Sequence, residues 1–250
     1  MRFFIEVSYH GKFYHGWQIQ PNAITVQEVL EQALSTILQE KIKIVGAGRT
    51  DTGVHARQMF AHFNTTSAFT PMDLVYKLNS FLPEGIAVAS LFRVPDDAHA
   101  RFDASSRTYH YIIETKKDVF NYEFSHQLSL PLQLPAMTKA CEILKGYNDF
   151  ECFSKTHTDV KTYLCNITEA HWTKNDSTLC FVISADRFLR NMVRAIVGTM
   201  INIGLGKMTA EDLHTIIASK KRSNAGFSAP AKGLFLHNIK YPEALMNYKP

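Results

Sequence analysis

Apolar and polar positions alternate from the start of the chain. Phe3, Ile5, Val7 and Tyr9 fall between Phe4, Glu6 and Ser8, the period-two pattern of a strand with one face buried. Beyond glycines at 11 and 16 the period changes: Val26, Val29, Leu30, Ala33, Leu34, Ile37 and Leu38 recur at helical spacing behind a Thr25-x-x-Glu28 capping pattern. Ile42 and Ile44 predict a second strand ending in Gly46-Ala47-Gly48. Met59, Ala61 and Phe63 predict a third, which leaves Arg49 to Ala56 as a loop between strands. Thr70-Pro71 reads as an N-cap and first-turn proline of a short helix carrying Leu74, Val75, Leu78 and Phe81, and a strand is expected over Ile86 to Phe92.

The second half repeats this style. Thr108 to Glu114 alternates with Tyr109, Tyr111 and Ile113 on one face, and a helix to about Leu144 follows the proline-containing stretch Leu130 to Pro135. Strands are predicted at Thr162 to Trp172 and Leu179 to Ser184, then a long helix from Phe188 to Ile203 and a shorter one capped by Thr209. Strands and helices mix without regular βαβ alternation, so the expected class is α+β: a largely antiparallel sheet flanked by helices, not a doubly wound fold. The domain division expected is 1–105, carrying the loop at Arg49–Ala56, and 106–250, carrying the long helix.

A hydrophobic share of 46% over 250 residues suffices for a packed core. The net charge is only +4, so attraction to a polyanion must come from local clusters of Lys and Arg. Cys141, Cys152, Cys165 and Cys180 are far apart with no CxxC pair, which argues against a zinc ribbon or disulfide scaffold and for isolated core thiols. Arg2 to Val7 turns polar too quickly for a signal peptide and no run reaches membrane-spanning length, so a reducing cytoplasm is the expected setting.

Three segments can carry chemistry. In Gly48-Arg49-Thr50-Asp51-Thr52-Gly53-Val54-His55-Ala56, Asp-x-Gly is ordinary turn chemistry, and that bland reading is the commoner one. Asp51 nevertheless lies between a guanidinium and an imidazole in a loop held by strands, where reactive groups are usually placed. In Ser106-Arg107-Thr108-Tyr109-His110-Tyr111, the tyrosines serve equally as sheet packing or as a platform for an unstacked base. In Asp186 to Gly198, helical spacing puts Arg187, Arg190 and Arg194 on one face, and Arg190 and Arg194 have no acidic i+4 partner. A solvated basic face is the default; phosphates or a distant carboxylate are the alternative partners.

Asp51, His55, His62, Asp97 and His99 are potential metal ligands, yet neither HExxH nor a facial-triad spacing occurs among the 11 histidines. A GxSxG elbow, a Walker loop and a Rossmann fingerprint are also missing from the sequence.

The chain resembles the tRNA pseudouridine synthase A family over nearly its whole length. The resemblance rests on Tyr9-x-Gly11, Gly16-Trp17-Gln18-x-Gln20, Thr25-Val26-Gln27, the Gly48–Ala56 segment, Ala100-Arg101-Phe102 and Arg107-x-Tyr109. It continues through Asn148-Asp149-Phe150, Phe188 to Gly198 around Met192-Val193-Arg194, Ala229-Pro230-Ala231 and Gly233-Leu234. It implies Asp51 as nucleophile, Tyr109 stacked on the target uracil, and a homodimer that isomerises uridines 38, 39 and 40 of the transfer-RNA anticodon stem-loop. It also implies a two-domain pseudosymmetric fold sharing a central antiparallel sheet, with no metal or cofactor. One departure is visible: the family's Tyr-Asp-Gly is Tyr9-His10-Gly11 here.

Pseudouridine formation breaks C1′–N1, turns the retained uracil and makes C1′–C5, so no redox or energy cofactor is needed. Attack of Asp51 at C1′ and at C6 are both open. An enclosed carboxylate stays ionised only beside a cation, and Arg194 is the expected one. Flipping a paired base leaves a gap, for which Arg49 and His55 are candidates, with Arg190 as a further RNA contact. Two rivals remain: a non-catalytic RNA-binding module, and a weaker reading as a metal-dependent phosphoesterase.

Overall fold

The computed structural model describes residues 1–156 and 160–249. Its packing divides into two compact units, Met1–Ser106 with Leu236–Pro250, and Arg107–Phe235. In both, mostly antiparallel strands combine with helices, the α+β class that the mixed periodicities predict.

The first unit holds β1 (Arg2–Tyr9), α1 (Val26–Leu38), β2 (Ile44–Gly46), β3 (His55–Asn64), α2 (Pro71–Phe81) and β4 (Ile86–Val94). β1 lies between β3 and β4, antiparallel to both, and β2 pairs with β3. Thr25 caps α1 as predicted, its hydroxyl accepting from the Glu28 N–H at 3.4 Å. Leu30, Ala33 and Leu34 form the buried stripe of α1. Glu31 is buried with them because its carboxylate accepts from Lys43 Nζ (2.7 Å), the Ile44 N–H (3.1 Å) and Gln27 Nε2 (3.0 Å). That carboxylate pins the start of β2, which feeds the loop of interest.

β1 departs from expectation: Phe4 and Glu6 are buried as well as Phe3, Ile5 and Val7. The second face is covered by the end of the chain. The Tyr241 ring packs at 5.4 Å from Phe4, and Lys249 Nζ lies 2.6 Å from the Glu6 carboxylate, which also accepts from Gln58 and Ser90. Such cover satisfies a buried carboxylate that an alternating strand would otherwise turn to water.

The second unit holds β5 (Ser106–Glu114), β6 (His126–Gln127), α3 (Leu134–Lys145), β7 (Ile167–Asn175), β8 (Thr178–Ala185), α4 (Met192–Gly204) and α5 (Asp212–Ser219). The chain ends with β9 (Leu234–Lys240) and α6 (Glu243–Met246). β8 lies between β5 and β7, antiparallel to both, and β6 runs parallel to β5. Thr209 and Asp212 exchange reciprocal bonds at the start of α5, as the capping expectation required.

Two boundaries move. Residues 162–166 are not strand: the Cys165 N–H donates to Asn148 O, and the Asp186 carboxylate accepts from the Asn166 N–H at 2.7 Å. The helix predicted from Phe188 begins at Met192, because Asn191 takes a left-handed φ of 66° and the Asp186 carboxylate also holds the Arg187 N–H. Arg187 and Arg190 are therefore off the helix. The proposed arginine stripe does not exist; of the three, only Arg194 lies on α4.

Candidate active site

Asp51 sits in a turn closed by the Val54 N–H donating to the Asp51 carbonyl at 3.1 Å, with Gly53 at φ 77° supplying the left-handed step. Both flanks of this turn are fastened to residues 9–17. The Trp17 N–H donates to Thr50 O at 3.2 Å, the Gly53 N–H to Tyr14 O at 3.4 Å, and the Gly11 N–H to His55 Nδ1 at 3.0 Å. The Tyr9 and Thr50 hydroxyls share a buried bond of 2.8 Å. Glycine is required where the two segments approach: a Cβ at Gly11 would lie 2.2 Å from Val54 O, and one at Gly16 2.4 Å from Thr50 O. Trp17 is seated on Gly46, whose hypothetical Cβ would stand 2.5 Å from the indole ring. The result is a rigid turn that leaves Asp51 partly open and Arg49 exposed.

His55 is the first residue of β3 and only 1% exposed. Its Nδ1 accepts a backbone N–H, and its ring meets that of His10 edge-on at 4.9 Å. This placement fits an anchor of the turn better than a group facing RNA. His10 in turn accepts the Lys12 N–H at 3.3 Å through Nδ1 and so caps the short helical turn Gly11–Phe13. An aspartate does the same work at such a position, and an imidazole acceptor replaces it here.

In the second unit Tyr109 is half-buried, and its ring meets Phe188 edge-on at 5.1 Å. Tyr111, two residues along the same face, is instead core: it is fully buried and donates to Pro230 O at 3.0 Å. Burial drives its phenol far above the ordinary range, against the opposing pull of the nearby Arg194 charge. Arg194 is half-buried on α4, its Nε donating to Ala229 O at 2.7 Å while the Ala229 N–H returns a bond to Arg194 O at 3.0 Å. Arg190 is exposed, and its carbonyl accepts the Lys155 N–H at 3.0 Å.

The loop after Lys220-Lys221-Arg222 is laced along α4. Arg222 donates to Gly226 O (2.8 Å) and Ser228 Oγ (3.0 Å), Asn191 to Ser228 Oγ (2.8 Å), and the Gly226 N–H to Thr199 Oγ1 (2.8 Å). Arg222 thus holds the loop that accepts from Arg194, while Lys220 pairs with Asp149 at 2.7 Å. In the sequence Lys220-Lys221-Arg222 reads as a phosphate contact or a simple surface loop, and Ser228, Tyr9 and Thr50 carry no site role; the glycines at 11, 198 and 226 are the available signal that backbone segments approach there.

Among the described residues, no group of three or more His, Cys, Asp or Glu side chains comes together to hold a metal. His62 and His99 do meet at 4.6 Å, but each ring is used locally, His62 Nδ1 accepting from the Ala100 N–H and His99 Nδ1 from the Arg101 and Phe102 N–H groups. The four cysteines are free, and burial pushes the Cys141 and Cys152 thiols up to about 12 and Cys165 to about 11, well out of the reactive range. Among the described residues, no helix is long and apolar enough to cross a membrane.

Comparison with known proteins adds an independent line. The family model described as tRNA pseudouridine synthase matches residues 5–103 and 140–242. The tRNA pseudouridine synthase A of Parabacteroides distasonis is 50% identical over 247 residues, covering 98% of this chain and 97% of that protein. The same-named protein of Bacteroides fragilis is 50% identical over 98% of each chain. That of Thermoanaerobacter sp. (strain X514) is 40% identical, over 95% of this chain and 98% of its own length. Matches of this extent and identity settle the ancestry: the chain belongs to the tRNA pseudouridine synthase family.

Proposed function

We propose that this chain isomerises uridines 38, 39 and 40 of the transfer-RNA anticodon stem-loop to pseudouridine, with Asp51 as nucleophile. Family membership makes it an isomerase of transfer-RNA uridines; the positions and the nucleophile are the finer reading. The observation that carries the reading is the Arg49-Thr50-Asp51 turn, fastened on both flanks while its carboxylate stays partly open. A carboxylate held this way starts close to the geometry of attack and loses little freedom on reaching it.

In this reading the carboxylate forms a transient bond at C1′ or at C6, the C1′–N1 bond breaks, and the uracil turns and rebonds through C5. The bond to Asp51 breaks, the C5 proton leaves to solvent and N1 takes up a proton in its place. Atoms and electrons balance without an added oxidant or reductant. Tyr109, braced by Phe188, stacks on the flipped base, and exposed Arg49 fills the gap it leaves. Arg194 is the cation assigned to the reaction beside Asp51, and Arg190 meets the phosphate backbone. Two copies of the chain, working in the cytoplasm, form the active assembly.

The test is tritium release from 5-tritiated uridine in unmodified transfer RNA, with and without chelator. Wild type should release tritium in both, Asp51→Ala in neither, and Arg194→Ala should slow single turnover by about 10²-fold or more, the scale on which a preorganised charge acts. Tight binding with no release by wild type would leave an RNA-binding module. A metal-dependent phosphoesterase would instead cleave the transfer RNA, in a chelator-sensitive way, without releasing tritium.

A further inference from the structure

Thr50, the residue immediately before Asp51, is held twice. Its carbonyl accepts the Trp17 N–H at 3.2 Å, and its hydroxyl shares a buried 2.8 Å bond with the Tyr9 hydroxyl. Fixing both the peptide plane and the side-chain rotamer of Thr50 fixes the direction in which the chain enters Asp51. Tyr9 is itself set by the sheet. The pairing of β1 with β3 slips between Val7 and Tyr9, so Tyr9 faces Ala56, and its ring lies 6.1 Å from Trp17. A register slip of this kind re-aims a side chain, and here it aims the last residue of β1 at the turn. Tyr9 and Thr50 are both more than nine-tenths buried, so neither is presented to a substrate.

We propose that Tyr9 is a positioning residue for the isomerisation, acting through the Thr50 hydroxyl to aim the Asp51 carboxylate. The proposal rests on the reading of Asp51 as nucleophile. Tyr9→Phe keeps the ring and its packing and removes only the hydroxyl, so transfer-RNA binding should stay within about twofold of wild type. Single-turnover rate at saturating transfer RNA should fall on the order of 10- to 100-fold, the cost of a nucleophile misplaced by a fraction of an ångström to 1 Å. Thr50→Val should reproduce that loss and Thr50→Ser, which retains the hydroxyl, should restore most of the rate. The double variant Tyr9→Phe with Thr50→Val should be no slower than the slower single variant, since each breaks the bond that the two hydroxyls share.

The idea is overturned by a wild-type rate in Tyr9→Phe, by losses that multiply in the double variant, or by a loss confined to binding affinity. If Tyr9→Phe does not fold, the contrast between Thr50→Ser and Thr50→Val decides alone. Asp51→Asn is assayed beside them. Retained turnover there sinks the nucleophile reading itself, whereas a dead Asp51→Asn with a fully active Tyr9→Phe sinks only the positioning role.

Discussion

A methyl group on Gly11 is the most discriminating perturbation of the candidate site. Its Cβ would fall 2.2 Å from Val54 O, 2.4 Å from Val54 C and 2.8 Å from Gly53 C. All three are main-chain atoms of the Asp51 turn, so no rotamer change relieves the overlap. Ordinary non-bonded carbon contacts lie near 3.5 Å, and the two segments must therefore separate by roughly 1 Å. Gly11 cannot easily retreat, because its N–H is bound to His55 and the next residue is capped by His10. Overpacking of this kind costs about 1–3 kcal/mol, which for a chain of this size lowers Tm by roughly 2–10 °C. The larger consequence is kinetic: a nucleophile displaced by about 1 Å loses on the order of 10²-fold in rate.

Gly48 is the matched control. It opens the same segment, yet a Cβ there meets nothing within 4 Å. Gly11→Ala and Gly48→Ala should be compared by single-turnover tritium release, transfer-RNA binding and thermal melting. The expected pattern is a slow, modestly destabilised Gly11→Ala that binds normally, and a Gly48→Ala indistinguishable from wild type. Equal rates in the two variants would refute the argument that the Gly11 contact sets the position of the turn.

Two further expectations concern charge. For Glu6, burial opposes ionisation, but the bonds from Lys249, Gln58 and Ser90 outweigh it and hold the carboxyl below its usual range. A depressed folded pKa stabilises above the unfolded value and is lost as pH falls. Lys249→Ala should therefore destabilise at pH 7 by about 1–3 kcal/mol and lose less between pH 7 and 4 than wild type, by urea titration; identical curves would contradict it. Burial, aided by the His99 and Arg2 charges and opposed by Asp103, pushes His62 down to about 4. The folded protein favours neutral His62, so stability present above about pH 6.5 should decline toward pH 4 by up to about 3 kcal/mol. His62→Asn keeps an acceptor for the Ala100 N–H and removes the titration; an unchanged decline would rule out His62 as its source.

Elements with a strong local period were legible in the sequence. α1 and α2 announced themselves by spacing and cap, and β5 by the alternation of Tyr109, Tyr111 and Ile113, because local propensity and tertiary packing agree there. The failures occur where a distant segment decides. Nothing between residues 1 and 10 says that Tyr241 and Lys249 will cover the second face of β1, so Glu6 reads as solvent-facing until the end of the chain is in place. Helical spacing continues upstream of Met192, and only the bonds from Asp186 and the left-handed Asn191 stop the helix there. That loss changed chemistry as well as geometry, since a basic helix face reduces to Arg194 alone.

The candidate site divides in the same way. Asp51 is open to a second reading in the sequence because it lies between Arg49 and His55 in a strand-flanked loop, although on local pattern ordinary turn chemistry is the commoner one. What holds it does not stand out, because Tyr9 and Thr50 are 41 residues apart and Gly11 and His55 are 44 apart. The departure at His10 shows what the position requires. The family's aspartate would suggest an acid in the chemistry, but the place needs an acceptor for the Lys12 N–H, and the imidazole provides one at 3.3 Å. An acceptor that caps the Gly11–Phe13 turn holds Gly11 where it packs against Val54 in the Asp51 turn. By the same logic His55, 1% exposed and accepting the Gly11 N–H, is part of the frame that holds the turn, while Arg49 stands exposed on it.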